Sequence, residues 1–414
     1  MRAHTCRSAA AILLLLSYYT LASPCTSASD CSLNGDCAAG TCLCDPAWRG
    51  SSTCDVLSLE PTPYERRGYV NSSGASSWGA RPVFSGGRWE LFVAQMVNGC
   101  ALQSWANNSA VVRAVSAGVD VGGPYAYLET VLPPLASNPK LYEVPPSDGG
   151  GWIIFGIGGA LWSPVPETGC ARLGGKPSKA PRGLAVSSLG PTPDSPSSPT
   201  EDGCGLLPLN NGCGVVVSHA ASLEGPWTTT PVIFVNQNAS ALLDCTHTNP
   251  SIVYRRDGLG LRMAFNAGYC HNQLETIGIA TAPSWRGPWS LASDAPIFLN
   301  ASGVPHQCED PMLWETARGW HLMVHNQAGA AVARYAHSLD GLSWVLHDDN
   351  GTNPGPYTGT ILYTDGSVAH SDVERPELVF DPHTGQPTHL VNSAFDGVLG
   401  NGTSFTLVRP LKRA

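Results

Sequence analysis

Short apolar runs bounded by polar turn residues recur five times along the chain. Each unit opens with a polar residue followed by a proline and an apolar run, and a second apolar run follows after a turn. The openings begin at Arg81-Pro82, Asn138-Pro139, Asn249-Pro250, Asp310-Pro311 and Arg375-Pro376. The second runs are 89–93, 152–155, 261–265, 320–324 and 388–391. Recurrence of one supersecondary unit is typical of a repeat architecture whose copies bury one another's faces.

Each unit continues into a third β-rich run, and four units then carry a turn with an aromatic residue. The third runs are 111–115, 214–217, 276–280, 330–335 and 405–408. The turns are Gly123-Pro124-Tyr125, Gly225-Pro226-Trp227, Gly287-Pro288-Trp289 and Gly341-Leu342-Ser343-Trp344. The aromatic gives the following outer strand a large packing surface. The pattern therefore predicts four-stranded antiparallel blades, and five copies predict an all-β, five-bladed β-propeller at about residues 76–410.

The last unit lacks the turn signature, because the chain stops soon after Val408. We expect residues 57–70, within a linker at 55–75, to supply the missing outer strand and close the ring. A Pro-, Ser- and Gly-rich stretch at about 170–210 has no apolar periodicity and predicts a surface loop inserted into the propeller.

Composition agrees with this fold class and limits the partners. The chain has 414 residues, of which 43% are apolar and 13% charged, with 45 Gly and 34 Pro. Few charges and many turn residues favour strands over helices. The net charge of −9 gives no reason to expect a nucleic acid partner.

The first residues predict secretion. A basic start, an apolar stretch at 9–16 and the small-residue site Thr20-Leu21-Ala22 are typical of a signal peptide, here residues 1–22. No later segment is long and apolar enough to predict a transmembrane span. Six glycosylation triplets agree with an extracellular glycoprotein. They begin at Asn71, Asn107, Asn238, Asn300, Asn350 and Asn401.

Six cysteines fall within residues 25–54. They are Cys25, Cys31, Cys37, Cys42, Cys44 and Cys54. Their spacing, with the aromatic Trp48 and Gly50 before the last cysteine, resembles an EGF-like module. The resemblance implies the disulfides Cys25–Cys37, Cys31–Cys42 and Cys44–Cys54, whereas spacing alone leaves the pairing open. No acidic pattern precedes Cys25, so we predict no calcium in this module and assign it to extracellular protein contacts.

The blade signatures resemble a known group of enzymes. The five units, the openings Glu309-Asp310-Pro311 and Arg375-Pro376-Glu377, and the Gly-Pro-Trp turns are similar to those of the five-bladed glycoside hydrolases. These include arabinanases, β-xylosidases and invertase relatives. The resemblance implies a glycan bound in the central cavity, where the inner strand of each blade begins. It also implies three carboxylates, on the first, third and fourth blades.

Carried over to this chain, the resemblance places the fourth-blade general acid on Glu309. The other two positions fall on Arg81 and Asn249, which cannot act as carboxylates. Asp310 and Glu374 are nearby substitutes for the base, while Asp310 before a proline also suits a turn-capping role. Because side chains alternate along a strand, we expect Glu309 and Asp310 to face opposite sides.

Further cavity candidates carry alternatives. Trp78 can stack on a sugar or fill the core. Arg81 and Arg375 can bind a carboxylated or sulfated sugar, or pair with nearby carboxylates. His247 and His325 can hold water or a metal such as calcium, or be hydrogen-bonded core residues; the leading expectation is no cofactor. Two functions therefore remain open: a glycoside hydrolase using Glu309, or a non-catalytic sugar-binding or adhesion protein.

Overall fold

The structure, a computed structural model, describes most of the chain. The described residues are 24–50, 52–63, 68–69, 75–158, 214–235, 246–268, 275–293, 295–299, 304–327, 331–347, 355–396 and 403–413. The predicted signal peptide, the inserted loop and the glycosylation residues Asn71, Asn238, Asn300, Asn350 and Asn401 lie outside them. Among the described residues, no helix has the length and apolarity needed to cross a bilayer.

Five antiparallel sheets follow the N-terminal strands β1 to β4 and are the predicted blades. The N-terminal strands are β1 Gly35–Ala38, β2 Thr41–Cys44, β3 Trp48–Arg49 and β4 Val56–Leu57. Blade one contains β5 Ser77–Ser85, β6 Arg88–Met96, β7 Ser109–Ser116 and β8 Tyr125–Leu132. Blade two contains β9 Ala136–Glu143, β10 Trp152–Gly158, β11 Gly214–Ala220 and β12 Thr228–Pro231. Blade three contains β13 Thr246–Tyr254, β14 Leu261–Gly268, β15 Glu275–Ala282 and β16 Ser290–Leu291.

The remaining strands complete the ring. Blade four contains β17 Cys308–Glu315, β18 Trp320–Asn326, β19 Ala333–Ser338 and β20 Val345–His347. A hairpin of β21 Thr360–Leu362 and β22 Val368–His370 leads to blade five, which contains β23 Val373–Phe380, β24 Pro387–Asp396 and β25 Thr403–Pro410. Single helical turns occur at Ala28–Cys31, Val97–Gly99, Leu102–Ser104, Trp105–Asn108 and Pro146–Asp148. Contacts between the first strands of successive blades place those strands around a central channel. The predicted all-β propeller is confirmed.

The ring closes as the sequence predicts. Tyr69 and Thr406 exchange backbone hydrogen bonds of 3.2 and 3.1 Å, and the Glu60 N–H donates to the Pro410 carbonyl at 2.9 Å. The described part of the linker therefore runs antiparallel along β25 and covers the open edge of blade five.

The aromatic residues after the Gly-Pro turns pack one blade on the previous one. The Trp227 ring of blade two meets Phe92 of blade one edge-on, with centroids 6.2 Å apart. The Trp289 ring of blade three meets Phe155 of blade two in the same way at 5.8 Å. The turn motif thus supplies inter-blade core, because a large ring leaving a turn reaches the neighbouring sheet.

The N-terminal module, residues 25–54, is held by three disulfides and packs on blade four. The bridges are Cys25–Cys37, Cys31–Cys42 and Cys44–Cys54, as the resemblance implies. The Trp48 ring stacks on Trp314 with centroids 6.3 Å apart. The Asn34 side chain donates to the Tyr335 hydroxyl at 3.0 Å. A segment this small buries little apolar area, so the bridges and this contact stabilise it.

Candidate active site

Each inner strand contains one residue with a left-handed backbone. In blades two to five it directly precedes the proline, with φ of 51° at Asn138, 49° at Asn249, 61° at Asp310 and 53° at Arg375. The ladder to the second strand shifts register at the same points. This is a β-bulge, which leaves a residue unpaired and redirects the side chains around it.

The bulge overturns the expectation that Glu309 and Asp310 face opposite sides. Regular alternation would separate them. With Asp310 at φ 61°, the alternation is broken, and carboxylate oxygens of both residues belong to one cluster whose donor atoms all lie within 4.8 Å of one another. Both side chains therefore reach the channel.

In blade one the left-handed residue is Gly79 rather than the residue before the proline. Its φ is 64°, and the register shifts between Trp78 and Ala80. A Cβ atom at Gly79 would lie 2.9 Å from Oδ1 of Asn138, so the position favours glycine for space as well as for conformation. The first blade offers no side chain here.

Arg81 is therefore not the first-blade counterpart of the other pre-proline residues. Its guanidinium pairs with Glu377, with Nη1 2.7 Å from Oε1, and lies 4.2 Å from the centre of the Tyr142 ring. It lines a separate cavity. Arg81 therefore lies away from Glu309, His325 and Glu374, because the bulge in β5 comes two residues earlier. The ion pair with Glu377 agrees with the pairing alternative, and a role of Arg81 in sugar binding stays a prediction.

The four remaining left-handed residues join side chains across the channel. The Asn138 amide donates to Oδ1 of Asn249 at 2.8 Å, and the Asn249 amide donates to Oδ1 of Asp310 at 2.7 Å. Arg375 pairs with the same Asp310 oxygen. Only about 20 Å³ remains open at this level. We call this set the central ring; it closes the channel and occupies Asn249 and Arg375 with structural contacts.

Glu309, His325 and Glu374 lie next to the central ring. Nδ1 of His325 is 3.1 Å from Oε1 of Glu309, and Nε2 is 3.9 Å from Oε1 of Glu374. Glu309 faces His325 directly across the β17–β18 ladder, and Glu374 comes from the adjacent blade at the equivalent place before its bulge. The imidazole thus bridges two carboxyl groups from neighbouring blades.

Burial and charge act against each other in this cluster. Burial alone would lower the pKa of His325, but the carboxylates of Glu374 and Glu309 outweigh it and raise the pKa. Burial raises the pKa of Asp310 to about 8, although the Arg375 guanidinium opposes the shift. The cluster therefore holds protons near neutral pH, as a site for acid–base chemistry requires.

The same four residues have the donor set for a divalent cation. Three carboxylates and one imidazole lie within range of one ion. Oδ2 of Asp310 is buried without a hydrogen-bond partner, which leaves one acceptor for it. A metal-bound imidazole must be neutral at the ligating nitrogen. The residues therefore fit a cation when His325 is deprotonated, while the contacts present fit a proton shared between His325 and Glu309. The sequence-based suggestion of calcium stays a prediction.

Two other sequence candidates lie in the core. Trp78 is 3% exposed and its ring packs 4.7 Å from that of Phe395, which favours the core-filling alternative over sugar stacking. His247 is buried between Phe234 and Phe265, with centroid distances of 4.9 and 5.2 Å. Neither side chain presents an open face to a ligand.

The sequence analysis missed an ion triad beyond the central ring. The Glu377 carboxylate is buried and binds both Arg81 and Lys140, with Nζ of Lys140 2.8 Å from Oε2. Lys140 also donates to the Pro311 carbonyl at 3.0 Å. A glutamate directly after a proline in an otherwise apolar strand was the available signal, since a charge there must be paired.

Comparison with known proteins identifies the fold. A solved glycoside hydrolase superposes with a TM-score of 0.53 at 11% identity, covering 87% of this chain and 94% of its own. A family 117 glycoside hydrolase from the marine bacterium Zobellia galactanivorans superposes with a TM-score of 0.50 at 12% identity, covering 86% and 89%. No family model and no curated protein matches the sequence. The fold is that of the glycoside hydrolase propellers.

Proposed function

We propose that this protein binds a glycan at the end of the central channel where Glu309, His325 and Glu374 lie. The protein hydrolyses the glycosidic bonds of that glycan. The observation that carries the proposal is the pair of carboxyl groups, on neighbouring blades, within 4.8 Å of one another. Glycoside hydrolysis uses two such groups, one protonated and one ionised. The likeness of the fold to glycoside hydrolases supports a carbohydrate substrate.

The short separation favours double displacement. Carboxyl groups about 5 to 5.5 Å apart suit a retaining enzyme, whereas an inverting enzyme needs room for a water. Glu374 would attack the anomeric carbon while Glu309 protonates the departing oxygen, and Glu309 would then deprotonate the water that releases the sugar. The proton that Glu309 donates is supplied by Nδ1 of His325, 3.1 Å away.

We further propose that the protein is secreted and that the N-terminal module is EGF-like. The three disulfides support an oxidising compartment, and their pairing supports the EGF-like assignment. In this proposal the module contributes contacts with other extracellular proteins.

A second function, sugar binding without turnover, is supported by the central ring. Arg81 and Asn249 stand at two of the three positions where the resemblance implies carboxylates, and the Asn249 amide is committed to neighbouring side chains. A propeller of this kind would hold a glycan and release it unchanged.

A panel of aryl glycosides and plant and algal polysaccharides separates the two functions. We expect turnover by the wild type and a loss of at least about 100-fold in Glu309→Gln and in Glu374→Gln. The control Glu143→Gln removes an exposed carboxylate at the end of β9 and should leave turnover unchanged. For Glu374→Ala, added azide should restore turnover and yield a glycosyl azide. Equal turnover in wild type and Glu309→Gln would refute the proposed acid, and binding without turnover by the wild type would favour the second function.

A further inference from the structure

The far ends of the inner strands enclose a second cavity together with the N-terminal module. Its volume is about 650 Å³, within the range of small-molecule sites. Tyr254, Glu315 and Phe380 from the ends of β13, β17 and β23 line it, as does Trp48 of the module. Glu309 lies near the opposite end of β17, and the central ring lies between. The cavity is therefore separate from the candidate active site.

Two hydrogen-bond donors of this cavity lack partners. Trp48 and Trp314 line it and are 5% and 6% exposed. The indole N–H groups of other tryptophans, such as Trp285 and Trp289, donate to carbonyl oxygens. In the described part of the chain, those of Trp48 and Trp314 meet no acceptor. Neither nitrogen is fully buried, so both N–H groups are open to the cavity and can donate to a ligand that carries acceptor oxygens.

One cation of the ion triad faces this cavity. Arg81 lines it and pairs with the Glu377 carboxylate, which also binds Lys140. Burial lowers the pKa of Lys140, and the Glu377 carboxylate partly opposes the shift. Arg81 lines the cavity with its side chain 26% exposed, and within the described residues its only ion pair uses Nη1. Its remaining N–H groups are available to an anion.

We propose that this cavity binds an acidic sugar whose carboxylate or sulfate group lies on Arg81 and accepts hydrogen bonds from the indole N–H groups. The aromatic walls, including Tyr142 and Phe380, suit the apolar face of a sugar ring. The anion would lie against Arg81, the member of the ion triad that lines the cavity. Binding here does not depend on the proposed hydrolysis, because no residue of the candidate active site contributes.

Isothermal titration calorimetry of the full secreted chain, at constant ionic strength, tests the proposal. The probes are glucuronate, glucose 6-sulfate, glucose and inorganic sulfate. We expect one of the two acidic sugars to bind with a Kd of about 1 mM or below, and to bind at least about tenfold more tightly than either glucose or sulfate. The stronger of the two identifies the anionic group. Equal binding of glucose, or binding of sulfate as tight as that of the sugars, would overturn the assignment.

Variants then locate the site. Arg81→Gln should weaken binding at least about tenfold, because a charge-assisted hydrogen bond is lost. Trp314→Phe keeps an aromatic ring but removes the N–H together with part of the indole, and it should weaken binding about threefold or more. Its melting temperature, measured beside that of the wild type, separates a loss of binding from a loss of folding. Glu309→Gln, at the other end of the channel, should bind like the wild type. Unchanged affinity in both cavity variants, or a loss in Glu309→Gln alone, would show that the acidic sugar binds elsewhere.

Discussion

Acid should loosen the N-terminal module from blade four, because the contact includes two histidines that are hydrogen-bonded to each other. Nδ1 of His347 lies 3.3 Å from Oδ2 of Asp55, and its Nε2 lies 2.9 Å from Nδ1 of His337. Nε2 of His337 in turn lies 3.1 Å from the Ser29 hydroxyl. Nε2 of His347 and Nδ1 of His337 face each other and can share only one proton, so protonating both imidazoles breaks this contact.

The pKa of His337 gives the direction and size of the effect. Burial lowers it from 6.5 to about 4, His347 adds to the shift and Asp30 opposes it. A lowered pKa means that the undocked or unfolded state binds protons more readily. The stabilisation is therefore complete above a pH of about 6.5 and is lost as the pH falls towards about 4. The shift corresponds to at most about 3 kcal/mol, which solvent screening reduces to about 1 to 2 kcal/mol.

Hydrogen–deuterium exchange of the module at pH 7.5 and 4.5, corrected for intrinsic rates, measures this loss. Between pH 7.5 and pH 4.5, the free energy of amide protection should fall by about 1 to 2 kcal/mol more in the wild type than in His337→Gln, whose side chain cannot titrate. The control His383→Gln replaces an exposed histidine of blade five and should behave as the wild type. The same pH dependence in wild type and His337→Gln would refute the hydrogen-bond argument.

Three further outcomes test the propeller itself. Gly79→Ala places a Cβ against the central ring at φ 64°. Chemical denaturation should show a loss of about 1 to 3 kcal/mol in the free energy of unfolding. The same change at Gly86, which is exposed and also left-handed, should cost only the part of this loss that comes from backbone strain. Glu377→Gln leaves the partly buried cations Arg81 and Lys140 with a neutral partner, and we expect a loss of about 3 kcal/mol in the free energy of unfolding that diminishes at alkaline pH. Trp289→Ala removes inter-blade packing. The melting temperature should drop, and the free energy of unfolding should fall by about 3 to 5 kcal/mol. A fall of less than about 1 kcal/mol would contradict the assigned packing role. Dialysis against a chelator distinguishes acid–base chemistry from cation binding at the cluster of Glu309, Asp310, His325 and Glu374. We expect glycan turnover to stay unchanged. A loss of turnover that calcium restores would assign the cluster to a metal.

Local chemistry allowed much of the fold to be predicted. Proline and glycine restrict the backbone at fixed places, and a tryptophan after the turn needs a large apolar partner, so Gly287-Pro288-Trp289 indicates a blade boundary wherever it occurs. The cysteine spacing resembles one module closely enough for its pairing to hold in the structure. Such signals survive in a single sequence because each depends on residues close together in the chain.

Five blades and their strand order could be predicted from the sequence, since periodicity and turn chemistry are local. Which side chains meet depends on the tertiary structure. A bulge two residues earlier in blade one removes Arg81 from the candidate active site and leaves Gly79 there. A left-handed Asp310 brings both Glu309 and itself to the channel, and the packing of blade five on blade four sets Glu374 beside His325. These contacts join residues tens of positions apart, and the conformation of a single bulge residue decides them, which no periodic pattern encodes.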